Sequence, residues 1–216
     1  IIRAKKSRNH TELLCKYLRM PIKIKSNKHN DLIEVNRVKK IKSFNYTIPN
    51  DISSAAFFMV LTALTKDSIL IIKNVNINPT RTGIVEILKK MGVKIFYLNK
   101  KLYKGEKVSD IKIISPTKLK PINCSPKLNS KSIDEFLVIF LAAAKAKGIS
   151  YFKNLQELNQ KESPRLEWGN KILKMIGIKT IKSKNSIKIF GNPEIKIKKK
   201  IVIRNFLKDH RVFMTS

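Results

Sequence analysis

The chain repeats itself, and the repeat limits the folds open to it. Ile87-Leu88-Lys89-Lys90-Met91-Gly92-Val93-Lys94 matches Ile172-Leu173-Lys174-Met175-Ile176-Gly177-Ile178-Lys179, an offset of 85 residues (172 − 87). Leu13 to Ile22, ending Arg19-Met20-Pro21-Ile22, reads as an earlier and weaker copy. The repeating unit is a buried helix, a strand, an amphipathic helix and then two strands. Residues 53–64 and 136–146 are apolar on all sides, the pattern of a buried helix. Residues 84–91 and 164–176 are apolar on one face, and Gly92 and Gly177 stop them. Strands are expected at 68–75, 93–98, 110–115, 149–153, 178–182, 186–190 and Ile201-Val202-Ile203. Ahead of these, 10–20 reads as an amphipathic helix closed by Pro21. Strands at 22–26 and 32–38 follow, with a turn at 27–30. The basic, then polar stretch 39–50 reads as a crossing between domains. Asp209-His210-Arg211 opens a third apolar helix. The class is therefore α/β (α+β), built from repeated units.

Of the 46 basic residues, 38 are Lys and only 8 are Arg, for a formal net charge of +31. Such a charge invites a nucleic-acid partner. The lysines, however, are spread over almost every segment, and nucleic-acid readers lean on Arg. The charge reads as a compositional bias laid over an ordinary fold. Against that background the arginines are informative. Arg8, Arg81 and Arg165 each fall just ahead of an amphipathic helix in successive copies. They either converge on an anion or bridge neighbouring elements. Cys15 and Cys124 form no metal-type cluster, and such sparse use fits a reducing, cytoplasmic setting. No run of about 18 apolar residues is present to span a membrane. The chain does not begin with Met and stops just after a helix start, so it reads as an internal fragment of a longer protein.

Chemistry concentrates between Lys131 and Arg165. Ser132-Ile133-Asp134-Glu135-Phe136 opens one apolar helix, and Lys161-Glu162-Ser163-Pro164-Arg165 opens the next amphipathic one. Helix starts carry unpaired N–H groups and partial positive charge, a setting for an anionic substrate beside an acid/base pair. Asp51, Asp134 and Asp209 all sit at apolar helix starts, where Asp is a favoured cap. Asp134, with Glu135 beside it and Phe136 next, is also placed to act as a partly desolvated base. Ser163 reads as a cap with Pro164 at the first helical position. Arg165 suits bidentate capture of a carboxylate or phosphate, and Lys161 offers a point charge. His210-Arg211 is a further candidate anion contact. His10 and His29 read as surface residues, and Trp168 as packing. No Gly-rich phosphate loop, Ser-His-Asp order or metal spacing occurs.

Six stretches carry a resemblance. They are Ser7-Arg8-Asn9-His10-Thr11-Glu12, Asp51-Ile52-Ser53-Ser54-Ala55-Ala56-Phe57, Asn78-Pro79-Thr80-Arg81-Thr82-Gly83, Ser132-Ile133-Asp134-Glu135-Phe136, Lys161-Glu162-Ser163-Pro164-Arg165 and Asp209-His210-Arg211. In this order they resemble the 5-enolpyruvylshikimate-3-phosphate synthase family, the enolpyruvyl transferases of the shikimate pathway. They look most like its bacterial class with a Pro-Thr-Arg-Thr-Gly segment. The resemblance implies an enolpyruvyl transferase-like two-domain fold of repeated βαβαββ units around buried helices. On it, 1–48 is the terminal part of the first domain and 49–216 is most of the second. It implies transfer of the enolpyruvyl group of phosphoenolpyruvate to the 5-hydroxyl of shikimate 3-phosphate. Asp134 is then the base that meets the hydroxyl, and Glu162 the proton donor to C3. Arg8 and Lys161 contact phosphoshikimate, while Arg165 and Arg211 grip phosphoenolpyruvate. A part for His210 in proton transfer is left open. No cofactor, metal, nucleic acid or membrane is implied. The full-length protein is expected to be a monomer, and the 216-residue chain alone to be inactive. Pro164 stands where the family usually has Asp, and Asn50 where it usually has Gly. A UDP-N-acetylglucosamine enolpyruvyl transferase is the alternative, and the Lys-Glu-Ser-x-Arg run argues against it. A basic nucleic-acid-binding protein is the alternative from another class.

Overall fold

The structure, a computed structural model, describes residues 1–38, 40–196 and 209–215. Three successive segments build the same small sheet. The first is β1 (Ile2–Lys5), α1 (His10–Tyr17), β2 (Ile22–Ser26) and β3 (Asn30–Val35). The second is α2 (Ile52–Leu64), β4 (Ile69–Asn76), α3 (Gly83–Lys90), β5 (Lys94–Tyr103) and β6 (Glu106–Ile114). The third is α4 (Phe136–Ala144), β7 (Gly148–Phe152), α5 (Arg165–Met175), β8 (Thr180–Lys182) and β9 (Ile187–Gly191). The short helix α6 (His210–Thr215) follows. In every sheet the last strand lies in the middle and pairs antiparallel with both neighbours: β1-β3-β2, β4-β6-β5 and β7-β9-β8. The strand expected at 201–203 lies outside the described residues. The short β1 has no counterpart in the expectations.

The repeat seen in the sequence is a repeat of helix endings. Gly92 (φ 97°) and Gly177 (φ 83°) both take the left-handed conformation that costs glycine least. Each closes its helix with paired return bonds, Gly92 N to Lys89 O and Val93 N to Leu88 O, then Gly177 N to Lys174 O and Ile178 N to Leu173 O. The same turn ends α1, with Met20 N bonded to Cys15 O. There Arg19 holds the left-handed position (φ 55°), which is why that copy is weaker to the eye.

The buried helices pack as the patterning predicts, with one exception. Every residue of α4 except Leu141 is buried, and Phe136, Phe140 and Phe152 meet edge-on or tilted at 5.2–6.0 Å between ring centres. Helix α2 is apolar all round, yet Phe58 and Leu61 are 55% and 61% exposed. It packs against α4, β4 and β6 but leaves this stripe uncovered. The exposed stripe borders a groove shared with Leu141 and Met214.

Strands β5 and β6 run longer than expected because Lys104 (φ 48°) and Gly105 (φ 88°) make a two-residue hairpin turn. The hairpin tip rests against the crossing segment and α1. Thr47 N donates to the Tyr103 hydroxyl at 3.0 Å, and Lys104 Nζ lies 5.3–5.9 Å from the rings of Phe44, Tyr46 and Tyr103. His10 is therefore not a free surface residue: its Nδ1 meets Glu106 Oε1 at 2.5 Å. His29 is exposed, and Trp168 packs with Leu137, Ile172 and Val212, as expected.

One carboxylate pins the middle sheet. Register shifts interrupt β4 between Ile72 and Val75 and β5 between Leu98 and Lys101. Asp110, on the central strand, accepts from Asn74 N (2.8 Å), Asn99 Nδ2 (2.9 Å) and Lys73 Nζ (3.0 Å). Asn74 and Asn99 are the left-handed residues (φ 53° and 52°) of the two bulges. The Asn74 amide, then Asn99 and Lys73, hold the Asp110 carboxyl down to about 2. A lowered folded-state pKa gives stability that is present above the unfolded value and lost as pH falls through the folded one. Thermal melts should therefore show a deficit of Asp110→Ala against the parent at pH 6 that narrows between about pH 4 and pH 2. A deficit constant down to pH 2 would show that the ionised carboxyl holds neither bulge.

Candidate active site

The starts of α2, α4, α5 and α6 are linked by one network of charged side chains. At its centre is Asp134, in the turn that leads into α4. That turn is held from below by α3. Gly83 opens α3 against Lys131 and Ser132, with Gly83 N bonded to Lys131 O at 3.2 Å. A Cβ on Gly83 would fall 2.0 Å from Ser132 Oγ, so only glycine allows α3 to start beside the turn. This accounts for the glycine of the Pro79–Gly83 motif.

Three cations from two distant parts of the chain meet the Asp134 carboxylate. Arg8 Nη2 donates to Oδ2, Arg165 Nη1 lies 3.1 Å from Oδ1, and Lys161 Nζ lies 3.6 Å from Oδ1. Arg211 Nη1 donates to the Asp134 backbone carbonyl at 3.2 Å. Burial pushes the Asp134 pKa up, but the hydrogen bond and charge of Arg8, with Lys161 and Arg211, outweigh it and hold the carboxyl well below the usual range.

Arg165 is the anchor of the network. It is 1% exposed, and its Nε donates to Asp209 Oδ2 at 2.9 Å. Its Nη2 donates to Glu162. Asp209 is equally buried, also accepts from Ser163 Oγ at 2.7 Å, and caps α6 by accepting from Arg211 N at 3.0 Å. Burial pushes the Asp209 carboxyl up, yet the Arg165 and Ser163 bonds more than reverse it. Glu162 projects outward, its side chain 63% exposed.

Two capping expectations need correction. Asp51 caps α2 through Ser54 N (3.1 Å), but the Asp134 carboxylate caps nothing: Glu135 holds the cap position of α4 and makes no capping bond. The three cations draw the Asp134 side chain away from the helix. Ser163 does not cap α5 either, because the buried Asp209 takes its hydroxyl; Pro164 occupies the cap position. The structure thus brings Arg8, Asp134, Lys161, Glu162, Arg165 and Arg211 into one cluster. Arg81 stays outside it, paired with Asp51 at 2.9 Å and donating to Ser53 Oγ at 2.6 Å. His210 is exposed beside the cluster. Sequence reasoning gave no role to Glu135, or to Asp209 beyond a cap. The one signal for Asp209 was its place in the Asp-His-Arg run.

Chemically, the cluster sets the cations Arg8, Lys161, Arg165 and Arg211 against the carboxylates of Asp134, Glu162 and Asp209. Arriving phosphate and carboxylate groups would compete with Asp134 for Arg8, Lys161 and Arg165, and each cation they draw off makes Asp134 a stronger base. Among the described residues no group of three or more His, Cys, Asp and Glu is placed to hold a metal, and no helix is long and apolar enough to cross a membrane.

A family model described as EPSP synthase (3-phosphoshikimate 1-carboxyvinyltransferase) matches residues 2–215. A 3-phosphoshikimate 1-carboxyvinyltransferase of Petrotoga mobilis is 35% identical over 215 residues, covering 100% of this chain and 48% of the relative. One of Clostridium tetani is 38% identical over 209 residues, covering 97% of this chain and 46% of the relative. The chain spans about half the length of the curated relatives it matches. The solved EPSP synthase of Acinetobacter baumannii superposes with a TM-score of 0.83 at 34% identity, covering 98% of this chain and 47% of that one. The enolpyruvyl transferase NikO of Streptomyces tendae shares the fold at 16% identity, with a TM-score of 0.54 over 81% of this chain and 38% of that one.

Proposed function

The chain belongs to the EPSP synthase family, and on that premise we propose that the protein, at the full length of its relatives, transfers the enolpyruvyl group of phosphoenolpyruvate to the 5-hydroxyl of shikimate 3-phosphate. The observation that carries this reading is Asp134 ringed by Arg8, Lys161 and Arg165. It is an acid/base group whose pairing an anionic substrate can undo.

In this reading the phosphate of shikimate 3-phosphate takes Arg8 and Lys161, and phosphoenolpyruvate takes Arg165 and Arg211. Asp134 loses its cations, its proton affinity rises, and it accepts the proton of the 5-hydroxyl as that oxygen bonds to C2 of phosphoenolpyruvate. Glu162 delivers a proton to C3, converting the double bond to a methyl group in the tetrahedral adduct. The C2–O bond to phosphate then breaks, C3 returns a proton, and the vinyl double bond re-forms. Arg165 and Arg211 stabilise the charge that collects on the departing phosphate. Residues 1–48 belong to one domain and 49–216 to the other, with the site facing the cleft between them, in a monomeric cytoplasmic protein. No cofactor takes part.

The test is release of inorganic phosphate by the full-length protein. Release is expected only when both substrates are present, in step with formation of the enolpyruvyl product. Turnover with UDP-N-acetylglucosamine in place of shikimate 3-phosphate, or phosphate release from phosphoenolpyruvate alone, would overturn the substrate assignment.

A further inference from the structure

Among the described residues, Glu135 is the one acid of the network with no cation in direct contact. It is 3% exposed, and its carboxylate accepts from Ser53 Oγ of α2. Ser53 in turn accepts from Arg81 Nη2, and Arg81 is shared with Asp51. The groups that face Glu135 are therefore Ser53 on α2, Arg81 in the turn before α3, Arg211 on α6 and, beside it in the chain, the Asp134 carboxylate. A buried carboxylate whose nearest partner is a neutral hydroxyl and whose chain neighbour is another carboxylate is costly to keep ionised. Burial foremost, with the Asp134 charge added, pushes Glu135 up to about 7 against the lowering influence of Ser53, Arg211 and Arg81.

Its geometry gives Glu135 a task. The turn 132–135 is held on one side by Arg211 Nη1 on the Asp134 carbonyl and on the other by Glu135 on Ser53. Deleting the second tether leaves the α2 side of the turn unsupported, with Arg211, α3 and the Asp134 cations as its remaining holds. The charge count reinforces this. With Glu135 ionised, five acids (Asp51, Asp134, Glu135, Glu162, Asp209) balance five cations (Arg8, Arg81, Lys161, Arg165, Arg211). With Glu135 protonated, the network carries one net positive charge, which suits an anionic ligand.

We propose that Glu135 is a positioning residue for Asp134, tying its turn to the first turn of α2, and that it does so as a neutral acid. The proposal rests on the functional reading above, since it is Asp134's proton transfer that Glu135 is said to position. It absorbs the Pro-Thr-Arg-Thr-Gly motif, whose arginine connects to Asp134's turn through Ser53 and Glu135.

The experiment compares the full-length parent with Glu135→Gln and Glu135→Ala, first by thermal melts without substrate from pH 5 to pH 8. A raised folded-state pKa makes the folded form hold a proton that the unfolded form has lost, so the parent's stability falls as pH rises toward the folded value. Glu135→Gln escapes that loss and should gain in melting temperature on the parent across this range. Turnover is then measured at a temperature where all three are folded. Glu135→Gln, which keeps a hydrogen bond to Ser53, should hold kcat within about threefold at pH 6 and flatten any inflection near pH 7 in the KM for phosphoenolpyruvate. Glu135→Ala should lose about tenfold or more in kcat with KM for shikimate 3-phosphate little changed. A pH-independent gap between parent and Glu135→Gln melts overturns the neutral-acid claim. Normal kcat in Glu135→Ala overturns the positioning claim. If even the parent turns over neither substrate, the functional reading falls, the positioning claim falls with it, and the melts still decide whether Glu135 holds a proton.

Discussion

Asp134→Asn in the full-length protein is expected to lower kcat by roughly 10² to 10⁴ while costing at most about 1–3 kcal/mol of stability. The structure separates the two effects. The Asp134 side chain caps no helix, so no capping bond is lost. An Asn carbonyl oxygen can still accept from Arg8 or Arg165, and Arg165 keeps Asp209 and Glu162. What disappears is the capacity to take a proton. In the unliganded site that capacity is held in check, because Arg8, Lys161 and Arg211 keep the carboxyl below its usual range despite burial. The loss should therefore show in kcat, at saturating anions, more than in either KM. Affinity for phosphoenolpyruvate should hold or improve, since Asn leaves Arg165 less fully engaged. Measuring kcat beside a melt on the same preparation decides it. Turnover preserved within a few-fold would move the base elsewhere, with Glu162 next.

What could be read from the sequence was what local chemistry encodes. Gly92 and Gly177 announce left-handed helix ends, and the apolar runs announce buried helices, so the repeat was visible before any sheet was. Features set by partners far along the chain were not. Ser163 has the chemistry of a cap, but its hydroxyl goes to Asp209, 46 residues away, once both are buried. The long β5–β6 hairpin was hidden because lysines crowd 100–107, and the Lys104-Gly105 turn is legible only with the flanking strands in place. His10 looked exposed because Glu106, its partner, lies 96 residues on. At the site, the residue types at helix starts identified the cluster. The sequence did not show that Arg81 would turn away to Asp51 and Ser53, or that Glu135 would be buried beside Asp134 with a hydroxyl as its partner.

The second large effect concerns Arg165 and Asp209. Both are buried in the unliganded protein, and each is the other's principal counter-charge. Arg165→Met takes the counter-charge from Asp209, leaving it in the interior with the neutral donors Ser163 Oγ and Arg211 N, and should cost about 3–5 kcal/mol. Asp209→Asn is gentler, because it is nearly isosteric and Arg165 retains Asp134 and Glu162; about 1–2 kcal/mol is expected. The double variant Arg165→Met/Asp209→Asn should be more stable than Arg165→Met alone, since Asn carries no charge to strand. That ordering is the signature of a coupled buried pair rather than of two independent losses. The pH dependence supplies a second check. Without Arg165, burial dominates Asp209 and its folded-state pKa rises, so the stability deficit of Arg165→Met should shrink as pH is lowered and Asp209 takes up a proton. Asp209→Asn should show no such recovery above about pH 4, where the parent's lowered Asp209 stays ionised. Chemical denaturation of the four proteins at neutral and mildly acidic pH measures both effects. Strict additivity at both pH values would mean that Arg165 owes its place to Asp134 and Glu162, and that Asp209 serves only to start α6.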